Sequence, residues 1–296
     1  MLGLSACHDP RRAARGNEPS VGAAATASST AHGSGRNRWR GGGVYLDGEP
    51  IGVLRHAELP RGLEPIWETQ RRRLPFGPGE EVRFTETKVP RYRITDYLSA
   101  LGLRLDDVVQ VHLHGARDSA VVLTREDLRR HPDDLLFKFA GGTFGKPIPI
   151  IRTIPVGTTF DDLIAMTIYI ERKPPRLTEN QTLELDGLPI RGIPYHGEPL
   201  REGVRVYVDN RLATVLKRNQ LPATSQSPHS DLGSVLARHG VPTSKLVSVE
   251  LIHDEVRTAT LPWSPLEFAF NEGASGEIVV GSHRLPANSI ALFTHR

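Results

Sequence analysis

The sequence predicts an α+β fold, rich in strand, made of two similar units in tandem. Three observations point there. Glycine and proline are abundant, 28 and 23 of 296 residues, and both are poorly tolerated inside helices. The stretch Val44 to Pro60, VYLDGEPIGVLRHAELP, returns as VYVDNRLATVLKRNQLP at Val206 to Pro222 without a gap. The elements after each stretch also follow one order: hairpin, short helix, strand, strand, closing strand.

Each repeated stretch reads as a β-hairpin. β-formers flank Asp47-Gly48 in the first and Asp209-Asn210 in the second, residues that reach positive φ at little cost. A shorter echo, LELDGLPIRG, runs from Leu183 to Gly192. Next come DYLSALG from Asp96 and DLGSVLARHG from Asp231, each an amphipathic helix stopped by Gly102 or Gly240. Strands are expected over Val108 to Leu113 and Leu246 to Ile252. DDLLFKFAGG and SPLEFAFNEG follow, and IAMTIYIERK and SIALFTHR close the units. The boundaries expected are a tether over 1–42, one domain over 43–175 and a second over 182–296. Lys173 to Thr182 reads as a linker. A period this long indicates duplicated domains and not a solenoid.

Charge is uneven. Residues 1–40 hold six arginines against Asp9 and Glu18, so the whole-chain charge of +3 leaves the remainder close to neutral. A basic nucleic-acid footprint is therefore not expected, and no run is apolar and long enough to span a bilayer. The single cysteine, Cys7, excludes an internal disulfide and cysteine-based zinc sites.

Leu4-Ser5-Ala6-Cys7 resembles the lipobox of bacterial lipoproteins. That resemblance implies a lipid on Cys7 and a periplasm-facing place in the cell envelope, such as the outer membrane. It also implies a signal peptide with a translation start upstream of Met1, because only three residues precede Leu4. Asn17 to Gly43 is small and polar, as a tether would be. The alternative is a cytoplasmic protein with a disordered N-terminus.

The first unit also resembles the molybdopterin-binding domain of the sulfite-oxidase type. The matching segments are HAEL (His56 to Leu59), EVRFTET (Glu81 to Thr87), ITDYLSALG (Ile94 to Gly102), VVQVHLHG (Val108 to Gly115), LTREDL (Leu123 to Leu128), FGKPIPIIRTIP (Phe144 to Pro155) and MTIYIE (Met166 to Glu171). The chain departs from that family where it matters. The family's molybdenum-binding Cys would fall near Thr85 to Thr87, where no Cys exists. The resemblance thus implies a degenerate, non-catalytic relative with no molybdopterin, and an oxidoreductase is the alternative.

Several residue patterns could carry chemistry. His112 and His114 form H-x-H on a strand, which places both rings on one face and within reach of one metal ion. His56, Glu58 or His131 could complete such a site. The same pattern also suits a solvent-exposed polar face. H-x-E occurs at His56-Ala57-Glu58 and His196-Gly197-Glu198 without the cysteines of a zinc deaminase. GGTFGK (Gly141 to Lys146) has Pro147 where a P-loop needs Ser or Thr, so a hairpin turn is expected. The Asp pairs 106–107, 133–134 and 161–162 read as caps, and Thr124 with Asp127 has capping-box spacing. Last, the segment from Glu64 to Arg93 has a much shorter counterpart in the second unit. It carries Arg71, Arg72 and Arg73 between Trp67 and Phe76, and reads as a loop that could bind an envelope partner.

Overall fold

The computed structural model describes residues 41–74, 83–115, 119–140, 145–153, 162–179, 182–190, 200, 202–220, 229–271 and 275–295. Cys7, Phe76, His196 and Glu198 lie outside them, as does most of the proposed tether. The described chain is rich in strand, with few helices.

Two five-stranded sheets dominate. The first contains β1 (Gly42–Leu46), β2 (Glu49–Leu54), β5 (Gln110–His114), β6 (Ala120–Thr124) and β9 (Ala165–Tyr169), in the order β2-β1-β9-β5-β6. The second contains β13 (Val204–Val208), β14 (Arg211–Leu216), β16 (Leu246–His253), β17 (Val256–Pro262) and β21 (Ser289–Thr294), in the order β14-β13-β21-β16-β17. In each sheet the opening strand pairs antiparallel with its hairpin partner and parallel with the closing strand. A register shift falls at Val44/Tyr45 in one hairpin and at Val206/Tyr207 in the other.

Local sequence accounts for these elements. Asp47 and Gly48 turn the first hairpin at φ of 46° and 93°, and Asp209 and Asn210 the second at 45° and 75°. Both aspartates then bind the end of their closing strand. Asp47 accepts from the backbone N–H groups of Ile170, Glu171 and Arg172 at 3.0–3.1 Å. Asp209 accepts from the N–H of Thr294 at 3.0 Å and its hydroxyl at 2.7 Å.

The helices are short. In α1 (Ile94–Ala100), Ile94, Tyr97 and Leu98 are buried. In α3 (Leu232–Arg238), Leu232, Val235 and Leu236 are buried, and Asp231 caps the start by accepting from the N–H of Ser234 at 2.7 Å. Both helices stop at a left-handed glycine, Gly102 or Gly240, where a side chain would be strained. α2 (Arg125–Arg130) opens with the expected capping box of Thr124 and Asp127.

Each large sheet has a second layer. β3 (Ile66–Arg73), β4 (Phe84–Arg93), β7 (Leu135–Phe139) and β8 (Pro147–Ile151) form a sheet in the order β3-β4-β7-β8. β15 (Ser230–Asp231), β18 (Glu267–Phe270), β19 (Gly276–Val280) and β20 (His283–Ala287) form another in that order. Two apolar cores result, one around Val111, Leu113, Phe137 and Ile168 and one around Val249, Leu251, Phe268 and Ile290.

The expected linker, Lys173 to Thr182, contains strand. Within it, β10 (Arg176–Leu177) pairs with β11 (Leu183–Leu185), which pairs with β12 (Leu188–Ile190). Backbone hydrogen bonding by Arg176 and Leu177 makes this stretch part of a small sheet.

Candidate functional site

Three groups of side chains were candidates for chemistry, and the fold separates them. The first is the histidine pair. Register puts His112 and His114 on the face of the first sheet that carries their cross-strand partners Thr167 and Ala165. Ala165 belongs to a third apolar cluster with Tyr45, Val53, Tyr207, Leu212, Ala291 and Phe293. This cluster draws on the outer faces of both large sheets and forms a seam between them. His112 and His114 are buried, at 0% and 2% exposure, so the solvent-exposed face suggested by H-x-H is corrected to a covered one.

The two rings do lie on one face, with centroids 6.1 Å apart. Nε2 of His112 lies 3.0 Å from Oε1 of Gln110, and Nε2 of His114 lies 3.1 Å from the Thr167 hydroxyl. Burial lowers both pKa values, to about 3 and about 4, and for His112 the neighbouring His114 adds to the effect. Both rings are thus neutral near neutral pH. His56 does not join them. It packs edge-on against Tyr92 and Phe139, while His131 caps α2 and is exposed. Among the described residues no group of three or more His, Cys, Asp or Glu side chains could hold a metal ion.

The second group was only half visible in the sequence. Glu58, in the 3-10 turn His56–Glu58 after the first hairpin, is buried at the seam. Arg205, at the start of the second large sheet, donates to both of its carboxylate oxygens at 2.7 and 2.8 Å. The Tyr207 hydroxyl donates to it at 2.5 Å, and Arg55 at 3.2 Å. Burial alone would raise the Glu58 carboxyl. The Arg205 charge and hydrogen bonds, followed by Arg55 and Tyr207, outweigh it and hold the pKa below its ordinary value. Around this centre Glu250 is bound by both Arg61 and Arg257, and Arg61 lies over the Phe293 ring at 3.9 Å. H-x-E singled out Glu58 as a possible acid–base or metal residue. Its partner Arg205 lies 147 positions away, and no local spacing signals it.

The third group is the β3–β4 ribbon. Arg71, Arg72 and Arg73 were expected in a loop, and this is corrected: they are the last residues of β3. The segment alternates Trp67, Thr69, Arg71 and Arg73 with Ile66, Glu68, Gln70 and Arg72, a pattern of period two that forms a strand against β4. β4 pairs with β7 only at Tyr92 and Arg93, so the ribbon from Trp67/Pro90 outward projects past the sheet. Pro90 is tolerated because β4 is paired on one side there. The base of the ribbon is pinned by Glu68, which bridges Arg91 at 2.8 Å and Arg152 at 2.5 Å.

One face of the ribbon carries four cross-strand pairs: Trp67/Pro90, Thr69/Lys88, Arg71/Glu86 and Arg73/Phe84. Trp67 is 59% exposed and Phe84 47%. Arg71, Arg73, Glu86 and Lys88 are exposed too, and the Arg71 guanidinium lies 4.1 Å above the Phe84 ring. Thr85 to Thr87, where the resemblance would place a molybdenum ligand, also lies on this ribbon and offers no thiolate.

Of the remaining motifs, residues 141–144 of GGTFGK and Asp161 lie outside the described residues. Ala140 and Lys146 close the β7–β8 hairpin through a backbone bond of 2.9 Å, and Lys146 pairs with Asp162 at 2.5 Å. Asp106 pairs with Arg129 at 2.5 Å, and Asp133 with Arg93 at 2.6 Å. No helix among the described residues is long and apolar enough to cross a membrane.

Compared with family models, curated proteins and solved structures, the chain matches none.

Proposed function

We propose that this chain is a non-catalytic binding or structural module of the bacterial cell envelope. It is tethered through lipid on Cys7, faces the periplasm, and consists of two tandem copies of one α+β domain over 43–175 and 182–296. The tandem reading is supported by the shared strand order, the matching register shifts and the paired turn aspartates. One observation carries the non-catalytic reading. Glu58 and Arg205 are buried against each other at the seam, and His112 and His114 are buried on that side of the first sheet, whereas the β3–β4 ribbon holds its aromatic and basic side chains in solvent.

Native mass spectrometry with metal analysis tests this on protein made in a molybdenum- and zinc-replete bacterial host. The expected result is the mass of the bare or lipidated polypeptide. A bound pterin mass, or a stoichiometric metal, would establish the oxidoreductase alternative instead. Metabolic labelling with palmitate checks the tether: incorporation should vanish in Cys7→Ala.

A further inference from the structure

Building on the binding-module reading, we infer that a groove beside the second large sheet binds a neutral glycan by stacking a sugar ring on Trp263. The groove has a volume of about 540 Å³, and its lining includes Asp231, Gly233, Ser234, Thr243, Trp263 and Ser264. That size suits a small-molecule site.

A shortened connection accounts for the groove. The backbone N–H of Trp263 bonds to the carbonyl of Val247 at 2.9 Å, as that of Arg125 bonds to Val109 at 3.2 Å beside the first sheet. Phe268 pairs with Ser230 as Phe137 pairs with Tyr92. Between these two marks the first sheet's side carries α2 and the turn Pro132–Asp134. Leu128 of α2 is buried, and Asp133 holds Arg93, which has the register position of Asp231, at 2.6 Å. The second runs from Trp263 to Phe268 through Ser264, Pro265, Leu266 and Glu267 alone. Trp263 packs against the second core and also lines the groove.

The lining selects the ligand. An indole is a flat apolar surface with one polar N–H. A pyranose presents C–H bonds on its face and hydroxyls around its rim, so the two match. Ser234, Thr243 and Ser264 carry hydroxyls, and Asp231 is the one ionisable residue of the lining. Its carboxylate accepts from sugar O–H groups. An anion would meet that charge, and the N–H groups of Leu232 and Ser234 are already taken, by the carbonyl of Leu266 and by Asp231, each at 2.7 Å. A partner helix in the place of α2 would need an apolar socket for a residue like Leu128, and Trp263 already packs on that core. Gly233 stands beside the ring: a Cβ there would lie 3.8 Å from Cζ2 of Trp263 and 3.4 Å from Oδ2 of Asp231.

The test titrates cellotetraose and chitotetraose into the full chain carrying Cys7→Ala, Trp39→Phe and Trp67→Phe, in which Trp263 is the single tryptophan. At least one of the two should saturate and shift the Trp263 emission. Preference for chitotetraose assigns an N-acetylated amino-sugar polymer, and preference for cellotetraose a glucan. Tetragalacturonate should bind at least about 10-fold more weakly than the preferred glycan. By calorimetry, Trp263→Leu, which keeps an apolar group on the core, should weaken binding on the order of 10-fold. Gly233→Gln leaves the indole in place and fills the groove, and should do the same. Thermal unfolding close to that of the parent shows that each variant is folded.

No saturable binding of either neutral glycan, or equal binding by Gly233→Gln, overturns the inference. So does tetragalacturonate bound as tightly, or a peptide of residues 124–134 bound in place of the glycans. A bound pterin or metal would remove the non-catalytic reading and leave the glycan result standing. Absent glycan binding by a bare chain would remove this site alone.

Discussion

The two five-stranded sheets share their strand order and differ in what they carry. Laying Val44–Pro60 over Val206–Pro222 sets Gly43 against Arg205, Tyr45 against Tyr207 and Glu58 against Gln220. In the second sheet Arg205 and Tyr207 both reach across to Glu58. In the first sheet Gly43 lies beneath the ring of Tyr45, where a side chain would collide with it. Gln220, the counterpart of Glu58, accepts from the N–H of Lys217 at 3.0 Å and is exposed. Register sets His112 and His114 against Glu250 and Ile252. Among the described residues the Glu58–Arg205 pair at the seam thus has no counterpart at the aligned positions Gly43 and Gln220. The second layers differ as well: β4 has ten residues and a hairpin partner, whereas β15, at the matching place before the helix, has two. The ribbon is the addition that the shared scaffold does not require.

Breaking the seam should show the largest asymmetry. Glu58→Ala leaves Arg205 charged and buried without its carboxylate, and should cost about 3–5 kcal/mol. Gln220→Ala should stay within about 0.5 kcal/mol. Urea unfolding of both variants checks this. Adding Arg205→Met to Glu58→Leu should recover most of the loss, since removing both partners leaves no stranded charge. Because the folded pKa of Glu58 is lowered, its contribution is present above the unfolded carboxylate pKa and is lost as pH falls through the folded one.

The turn aspartates give a closer comparison. Asp47→Ala removes an acceptor from three backbone donors and leaves alanine at positive φ. The expected cost is about 2–4 kcal/mol. Asp209→Ala loses one backbone donor and one hydroxyl and should cost less, by about 1 kcal/mol. The difference in urea midpoints measures it.

The histidines sharpen the comparison through pH. The folded pKa values of His112 and His114, about 3 and about 4, lie below the ordinary value. Between those values and about pH 6.5 the unfolded chain binds more protons, so stability falls as pH drops. Each ring contributes about 1.4 kcal/mol per pH unit over that window. His112→Leu should flatten the slope of unfolding free energy against pH by that amount. Its Nδ1 has no hydrogen-bond partner among the described residues, so little is lost at neutral pH. A slope equal to that of the parent chain would show that His112 is reached by solvent.

The smallest effect on stability is expected at the ribbon. Trp67→Ala should change unfolding free energy by no more than about 0.5 kcal/mol, because the ring is mostly exposed. A larger loss would show that Trp67 packs on something in the folded chain.

What the sequence determined by itself was local. Asp47-Gly48 and Asp209-Asn210 set their turns, Gly102 and Gly240 ended their helices, and Thr124 with Asp127 started α2. These depend on the φ a residue tolerates and on donors a few positions away, so a short window suffices. Strand over Arg71 to Arg73 was legible in the alternation of Trp67 to Arg73 but hidden by the charge, since three arginines in a row suggest a solvated loop. Tertiary structure decided the rest. The parallel pairing of opening with closing strands, the burial of His112 and His114, and the choice of Arg205 as partner for Glu58 join residues far apart in the chain. Which face of a strand is covered depends on what packs against it. H-x-H and H-x-E read the same on a buried face as on an exposed one.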